Sequence, residues 1–387
     1  MNIRTTRYHP HAKLLMSVAF GAALLGSNAA FADGTKEQVI SILSKTVIAA
    51  GLKGIDQDDI SGDDSKFTLS GVEFDTGKDG DSFTLEELTF IGAKPTADGG
   101  IVADEVDITG YDMSADKGGI SAKTIKIMGF TLAPPARIKV PGASHFDRFE
   151  MTGIEAGDDK TTATVSYLLL TSSDFRDGVP HQGSLEIKGL DVPVAADNPQ
   201  MADLAELGYK DVNIDATFKG SWDDKSGRLS LDSLSISAKD MGDVQLAFVL
   251  GGVTPDVLKQ LQAAKNDSSA ALGAMQAVSV ASASLKITNA SLFERLISQQ
   301  AKKQGTTKDE LLHQGTAMLP LLLTSVQNPA FEKKVVDAVT AFISSPHTLT
   351  LSVAPAQPLP VPQIIGVAGA APQTLPDLLG ADVTANK

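Results

Sequence analysis

The residues of this chain with the best spacing for binding a metal ion lie in one acidic loop. Its four carboxylates occupy the first, fifth, seventh and twelfth positions of a loop with EF-hand spacing, and they are Asp75, Asp79, Asp81 and Glu86. Such oxygen ligands suit calcium. The third position is Gly77, which supplies no side-chain ligand, and strands rather than helices are predicted on both sides. Two interpretations remain, a weak calcium site and a solvated hairpin turn, and the turn is the simpler one.

The other residues that could do chemistry do not form a catalytic pattern. The histidines beyond the first 32 residues are not paired at metal-ligand spacing, and they are His145, His181, His313 and His347. The chain has no cysteine, which excludes thiolate sites and disulfides. It lacks the nucleophile-elbow, P-loop and dinucleotide-binding glycine motifs. We therefore predict a protein that is not an enzyme and has no cofactor.

Charge and the N-terminal sequence predict where the protein works. The formal net charge is −14 at pH 7, which disfavours binding to nucleic acid and to anionic surfaces. Basic residues up to Lys13 precede an apolar run at residues 14–25, and Ala30-Phe31-Ala32 follows. This order is typical of a secretory signal peptide. We expect cleavage near Ala32, a periplasmic protein and no transmembrane segment in the mature chain.

A repeated strand motif dominates the first half of the chain. Two alternating apolar residues precede a glycine and two more follow it, as in residues 67–74 (FTLSGVEF). Further copies centre on Gly110, Gly129, Gly153 and Gly189, with a degraded copy at Gly92. Alternation predicts a strand with one buried face, and across each glycine the alternation slips by one residue.

This slip predicts the architecture. A straight strand would turn its second apolar pair to solvent, whereas a bulge or bend at glycine would keep that pair facing the same interior. We therefore predict an α+β fold with a mainly antiparallel, strongly curved β-sheet, a roll or trough built from Gly-bulged strand repeats. Ordinary bulged hairpins in an α+β domain are the alternative. The candidates for lining an apolar ligand groove, each of which could instead be plain core, are Val106, Ile108, Ile125, Ile127, Phe149 and Met151.

Helical patterns are predicted on both sides of the strands. Helical spacing of Val39, Leu43 and Val47 predicts a helix over residues 35–50. Capping signals predict later helices that begin near residues 254, 291, 307 and 328, followed by a strand at 347–353. The predicted organisation is a signal peptide at 1–32, a helix and repeated strands at 33–200, a β meander with C-terminal helices packed on the sheet at 201–354, and a Pro/Ala-rich, poorly packed tail at 355–387.

The alternating strands with their glycines, residues 209–222 (YKDVNIDATFKGSW) and residues 237–244 (SAKDMGDV) carry a resemblance to known families. Over about residues 60–353 the chain resembles the AsmA-like and YdgA-like families of Gram-negative envelope proteins. Its capped helices and strand at 291–353 are similar to the C-terminal part of the YdgA-like group. The resemblance implies an elongated sheet with an apolar groove and lipid handling in the envelope, and it carries over no catalytic residues. A cleavable signal peptide departs from the retained N-terminal anchor of typical members, which argues against a role that bridges two membranes.

Two main hypotheses about function follow. The first is a periplasmic protein that binds lipid or another apolar ligand in a groove of the curved sheet. The second is a structural or adaptor protein of the cell envelope that contacts a protein partner through the segment from Pro355 or through an exposed strand edge. An unrecognised enzyme is a third hypothesis, and the sequence does not specify the ligand, the partner or the oligomeric state.

Overall fold

The structure is a computed structural model that describes residues 35–77, 81–115, 118–158, 161–176, 178–195, 198–199, 201–265 and 267–387. In this part of the chain, seventeen strands form a large, open antiparallel β-sheet, with helices towards the N- and C-terminal ends of the sequence. The predicted α+β class and antiparallel pairing are therefore confirmed. The predicted signal peptide at 1–32 lies outside the described residues. None of the described helices is long and apolar enough to cross a bilayer.

Unit 1, one of two compact units, comprises the described residues within 1–160 and 177–179. Its elements are α1 (Thr35–Ala50), β1 (Gly54–Asp56), β2 (Asp59–Gly62), β3 (Lys66–Asp75), β4 (Ser82–Ile91), β5 (Lys94–Pro95), β6 (Ile101–Ala115), β7 (Gly118–Leu132) and β8 (Arg148–Gly157). The long strands β3, β4, β6, β7 and β8 pair in that order. The short strands β1 and β2 pair with β3, and β5 pairs with β6. Unit 1 is thus a meander of hairpins.

Unit 2 comprises residues 161–176 and 180–387. Its elements are β9 (Thr162–Arg176), β10 (Val179–Pro193), α2 (Ala202–Glu206), β11 (Asp211–Asp223), β12 (Arg228–Ala238), β13 (Gly242–Gly251), α3 (Pro255–Ala264), α4 (Ser268–Ala274), β14 (Ser279–Asn289), α5 (Leu292–Gln304), α6 (Lys308–Leu323), α7 (Pro329–Ser344), β15 (Thr348–Val353), β16 (Leu359–Pro360), α8 (Val361–Ala370), α9 (Leu375–Leu379) and β17 (Asp382–Ala385). Strands β9 to β15 pair in chain order. Strand β16 pairs with β14, and β17 pairs with β15.

The division between the units differs from the predicted boundary after residue 200. That point lies in the connection between β10 and β11, whose residues 182–193 and 211–221 pair with one another. A domain boundary there would separate two hydrogen-bonded neighbours. Strands β10 and β11, on the two sides of this connection, therefore belong to the same unit.

Helix α1 has the predicted bounds and buries an apolar stripe. Val39, Leu43 and Val47 are buried at the predicted helical spacing. Thr46 is also fully buried, and its hydroxyl donates to the Ile42 carbonyl at 2.8 Å, so burial leaves no hydrogen bond unmade. The Asp64 carboxylate accepts the Lys36 backbone N–H at 3.0 Å, in the first turn of the helix.

Capping side chains begin most of the predicted C-terminal helices. Thr254, Thr307 and Asn328 accept backbone N–H groups at the starts of α3, α6 and α7, as predicted. Ser291 precedes α5 but makes no capping hydrogen bond. Instead, the Asn289 side chain accepts a first-turn N–H at 2.9 Å. The start of α5 was therefore predicted correctly, but the capping side chain was not.

The segment from Pro355 to Lys387 is folded, so the prediction of a poorly packed tail is wrong. It contains β16, α8, α9 and β17. Leu359 is buried, and the Asn328 side-chain amide donates to the Gln373 carbonyl at 2.9 Å. Pro362 and Pro376 occupy the first turns of α8 and α9, where a missing N–H is not needed.

The repeat glycines adopt the left-handed backbone conformation. Their φ values lie between 58° and 65°, and the residues are Gly71, Gly92, Gly110, Gly129, Gly153 and Gly189. The predicted slip in alternation is also present, because the buried side chains of β3 are Phe67, Leu69, Val72 and Phe74. The sequence motif therefore marks a real change of backbone conformation with one buried face maintained.

In unit 1 the slip occurs in two neighbouring strands at once. Ser70 pairs with Glu87 and Val72 pairs with Leu85, so the register is the same on both sides of Gly71. This differs from the predicted bulge, which adds a residue to one strand only. One-sided register shifts do occur in unit 2, for example between Ile187 and Leu190 beside Gly189.

Each repeat glycine of unit 1 lies against a charged side chain of a neighbouring strand or loop. One set pairs Asp58 with Gly71, Glu86 with Gly110 and Lys123 with Gly153, and a second set pairs Asp104 with Gly92 and Asp147 with Gly129. We call these two sets the glycine–charge rows. A methyl group at any of these glycines would collide with the charged neighbour, so both the space and the φ value require glycine.

Candidate functional site

Five of the six predicted groove residues surround one apolar cavity in unit 1. They are Val106, Ile108, Ile125, Ile127 and Phe149, and the cavity volume is about 80 Å³. The sixth, Met151, is buried but does not line the cavity. The strand motif therefore brings these side chains to a shared interior, and their role in ligand binding stays a prediction.

Aromatic rings and helix α1 enclose this cavity. Phe74 and Phe83 stack with their ring centroids 4.2 Å apart, and Tyr111 packs edge-on against Phe83 at 5.5 Å. Leu43 of α1 completes the lining. Burial raises the pKa of Tyr111 to about 12. Because pockets for drug-sized ligands enclose roughly 300–1,000 Å³, this interior is a packed core with a small void.

Unit 2 presents a continuous apolar surface on one side of strands β10 to β15 and β17. One row of cross-strand neighbours is Leu185, Phe218, Leu234, Leu246, Leu285, Leu351 and Val383. The adjacent row is Ile187, Ala216, Ile236, Val244, Ile287, Leu349 and Ala385. Directly opposite residues of antiparallel strands share a face. We call the surface formed by these two rows the apolar face.

The apolar face is largely uncovered in its middle. Five large side chains from five consecutive strands keep between 37% and 45% of their accessible surface, and they are Phe218, Ile236, Val244, Ile287 and Leu351. Contiguous exposed apolar patches on folded proteins commonly mark binding surfaces. The arrangement of these side chains therefore suits an apolar partner.

The opposite side of the same strands is polar. Its cross-strand row is Thr217, Ser235, Gln245, Lys286 and Thr350. These residues line a shallow depression with short polar side chains and one lysine. The two sides of the unit 2 sheet thus differ sharply in chemistry, and only one of them is suited to an apolar ligand.

Apolar clusters cover the two ends of the apolar face. At one end Tyr209, Val212 and Met241 pack with Leu204 of α2 and Leu292 of α5. The Arg295 guanidinium lies over the Tyr209 ring, 4.2 Å from its centroid.

At the other end, Val253, Val257 and Val278 pack with side chains that include Leu229, Leu250 and Val361. The exposed middle of the face therefore lies between two packed ends.

A polar cluster beside Trp222 has the contacts of a structural element. The His181 ring stacks on Trp222 with centroids 5.2 Å apart, and its Nε2 lies 3.4 Å from Asp224 Oδ1. Trp222 donates from Nε1 to the Val253 carbonyl at 2.6 Å. Arg176 also donates to Asp224, at 2.6 Å. These contacts join the β9–β10 hairpin to the β11–β12 turn.

The predicted calcium loop is only partly within the described residues, because Asp79 lies outside them. Asp75 accepts the Gly77 backbone N–H at 2.7 Å, as in an Asx turn. Glu86 lies in β4 against Gly110 rather than with the loop. Across the described ranges, His, Asp and Glu form no group of three suited to a metal ion. The choice between a weak calcium site and a solvated turn therefore stays a prediction.

Sequence reasoning placed the candidate groove in unit 1 and missed the apolar face as a site. The alternation in residues 212–218 and 244–250 did identify the strands that form it. Alternation shows which side of a strand is apolar, but it does not show whether a second layer covers that side. The uncovered middle of the face could therefore be found only from the structure.

Comparison with known proteins adds a partial family match. A family described as "Uncharacterized protein" matches residues 235–386, from within β12 to just beyond β17. No curated protein matches the chain. The matched region contains much of the apolar face and the folded segment from Pro355, which indicates that this segment belongs with the strands before it.

Proposed function

We propose that this protein binds an apolar ligand, such as the acyl chain of a lipid, on the apolar face of unit 2, and that it acts by binding rather than by catalysis. The observation that carries the proposal is the exposure of large apolar side chains from five consecutive strands on one side of the sheet. The resemblance to AsmA-like and YdgA-like envelope proteins favours the same class of ligand.

The dimensions of the apolar face suit an extended hydrocarbon chain. On β13 the apolar face comprises Val244 and Leu246, and the same side of the strand stays apolar through Phe248 to Leu250, where the Val253 cluster covers it. From Val244 to Leu250 this apolar side extends about 20 Å, at about 3.4 Å per residue. One leaflet of a bilayer contributes about 15 Å of hydrocarbon thickness, half of roughly 30 Å. Five strands spaced about 4.8 Å apart span roughly 19 Å across. The face therefore has room for more than one acyl chain side by side.

The energetics of this binding are those of hydrocarbon burial. Each buried methylene contributes about 0.8 kcal/mol, so a ten-carbon segment gives roughly 8 kcal/mol before the cost of ordering the ligand. That value corresponds to a Kd of about 1 μM or weaker. Such binding is specific for apolar character and length rather than for a particular head group.

We infer further that the sheet is curved into a trough at its positive-φ glycines, with the apolar side inward. In unit 1 this interior is filled by side chains from the strands and from α1, leaving only the cavity of about 80 Å³. In unit 2 the middle of the interior stays open to a ligand. The predicted signal peptide supports a periplasmic site of action, where lipids must cross an aqueous compartment.

The test is binding of a dansyl-labelled undecanoic acid, followed by its fluorescence. The double variant Ile236→Thr, Val244→Thr places two hydroxyl groups on the apolar face while keeping β-branched side chains that suit strands. Desolvating these hydroxyls against a hydrocarbon chain is unfavourable, so we expect Kd to rise about tenfold.

The matched control is Ser235→Thr, Gln245→Thr, which changes adjacent positions of the same two strands on the polar side. We expect its Kd to stay within about twofold of the unchanged protein. Equal effects of the two double variants, or no binding of the probe to the unchanged protein, would contradict the proposal. Co-purification of one stoichiometric protein in place of lipid would support the adaptor hypothesis instead.

A further inference from the structure

Helix α6 ends in an apolar tip that the rest of the protein leaves uncovered. Met318, Leu321 and Leu322 are 54%, 71% and 66% exposed. Their spacing of three and four residues places them on one side of the helix. No residue of this sixteen-residue helix is buried. The stripe of Met318, Leu321 and Leu322, which we call the α6 tip, therefore contributes little to the stability of the fold.

The α6 tip lies within a long uncharged stretch of an acidic chain. Residues 311–331 contain no Asp, Glu, Lys or Arg, although these types make up 21% of the chain. The stretch covers most of α6, the connection to α7 and the first turn of α7. A surface this free of charge can leave water without desolvating an ion.

We propose that the α6 tip docks the protein onto a lipid bilayer by inserting its leucine and methionine side chains among the acyl chains. Protein-binding surfaces usually combine an apolar centre with a polar rim that forms about one hydrogen bond per 100–200 Å². The tip has exposed aliphatic side chains within an uncharged stretch of sequence, which matches the bilayer interface better than a partner protein. This inference rests on the proposed function, because a protein that loads lipid on its apolar face must reach a membrane.

The charge of the chain gives this docking an unusual dependence on salt. With a net charge of −14, the protein as a whole is repelled by anionic lipid head groups. Docking through an uncharged tip should therefore be stronger on zwitterionic than on anionic vesicles. On anionic vesicles it should strengthen as salt screens the repulsion, opposite to the behaviour of a basic membrane-binding patch.

The experiment is flotation of the full-length mature protein with vesicles of phosphatidylcholine, and with vesicles containing 30% phosphatidylglycerol. The test variant is Leu321→Ser, Leu322→Ser, whose positions are exposed and whose fold should be unchanged. The matched control is Leu272→Ser, Ile365→Ser, which removes two similarly exposed apolar side chains from α4 and α8. We expect the test variant to bind phosphatidylcholine vesicles at least tenfold more weakly and the control to change less than twofold.

Equal losses in the two variants, or no flotation of the unchanged protein with either vesicle, would overturn the proposal. So would sedimentation showing that the tip holds two copies of the chain together in place of lipid. The same variants are assayed with dansyl-undecanoic acid free in solution. If the Leu321→Ser, Leu322→Ser variant bound both the probe and the vesicles as well as the original protein, docking would be rejected and the proposed function would stand. If the original protein did not bind the probe, the proposed function would be rejected.

Discussion

Units 1 and 2 are built from the same kind of strand, but they treat their apolar sides differently. In unit 1, α1 brings Val39, Leu43 and Val47 into the interior, and rings such as Phe67 and Phe90 are fully buried. The largest fully buried side chains of the described chain all belong to unit 1. In unit 2, Phe218, Val244 and Leu351 occupy comparable strand positions and remain more than a third exposed.

This contrast shows that a strand pattern and its covering layer are separate determinants of function. An apolar side covered by a helix becomes a core and stabilises the fold. The same side without a cover forgoes that stabilisation, which is a cost that natural proteins accept mainly at binding surfaces. The difference between the units favours a stabilising role for the interior of unit 1 and supports the proposal of ligand binding at the middle of unit 2.

The largest effect that would sharpen this comparison comes from removing residues 355–387. Their loss takes β17 from the edge of β15 and removes the buried Leu359. We expect unit 2 to lose at least about 3 kcal/mol of unfolding free energy from this apolar burial and strand pairing.

The measurement is denaturant unfolding followed by fluorescence of Trp222, the only tryptophan, which lies in unit 2. A chain that lacks only Lys387 is the control. An unchanged Trp222 transition after the longer deletion would mean that the segment is the independent tail that its composition predicts.

A smaller effect is expected from Gly110→Ala in unit 1. Its φ of 58° is strained for a residue with a Cβ, and the added methyl meets the Glu86 side chain. We expect a loss of about 1–2 kcal/mol by calorimetry. The additional change Glu86→Ala should recover only part of it, because the backbone strain remains.

The matched control is Gly273→Ala in α4, where a methyl group meets open space. Alanine is the better helix former, so this change should stabilise the protein by about 0.5–1 kcal/mol. If Gly110→Ala were as well tolerated as the control, the glycine–charge rows would not be what organises unit 1.

The smallest effect concerns the closed interior of unit 1 at high pH. Burial raises the pKa of Tyr111 to about 12, above its value near 10 in the unfolded chain. The folded state therefore holds this proton more tightly, and its contribution to stability is complete below pH 10 and is lost as the pH rises to 12. At pH 11 the loss is about 1 kcal/mol.

Unfolding free energies at pH 9 and pH 11, compared between the unchanged protein and Tyr111→Phe, measure this loss. The phenylalanine variant should show a smaller decrease between the two pH values. If tyrosinate absorbance instead showed Tyr111 titrating near pH 10, the interior of unit 1 would be open to water and the contrast between the units would fail.

Much of the local structure could be predicted from the sequence because it depends on neighbouring residues. Helix α1 follows from its apolar spacing, the starts of α3, α6 and α7 follow from Thr254, Thr307 and Asn328, and the slip at each repeat glycine is visible in the alternation. Two adjacent polar residues between two apolar pairs, as at Asp104 and Glu105, mark the matching slip in the strand that lies opposite a repeat glycine.

The rest depends on contacts between distant residues. Nothing near Pro355 indicates that β17 will pair with β15, and the composition there favours an extended chain. In the same way, no local feature of Phe218 or Val244 states that no helix will cover it. The predicted groove residues accordingly lie around a nearly closed cavity, while the exposed apolar surface is in the other unit.

The constant register across the glycine–charge rows has a consequence for how such a chain can change in length. Because neighbouring strands shift together, inserting or deleting one complete hairpin leaves every remaining side chain on its original side of the sheet. Inserting a single residue would instead turn every side chain beyond it on that strand to the opposite side of the sheet. Relatives built in this way should differ by whole hairpins of about 40 residues, that is, by pairs of the strand repeats of about 20 residues, as duplication of a hairpin would produce.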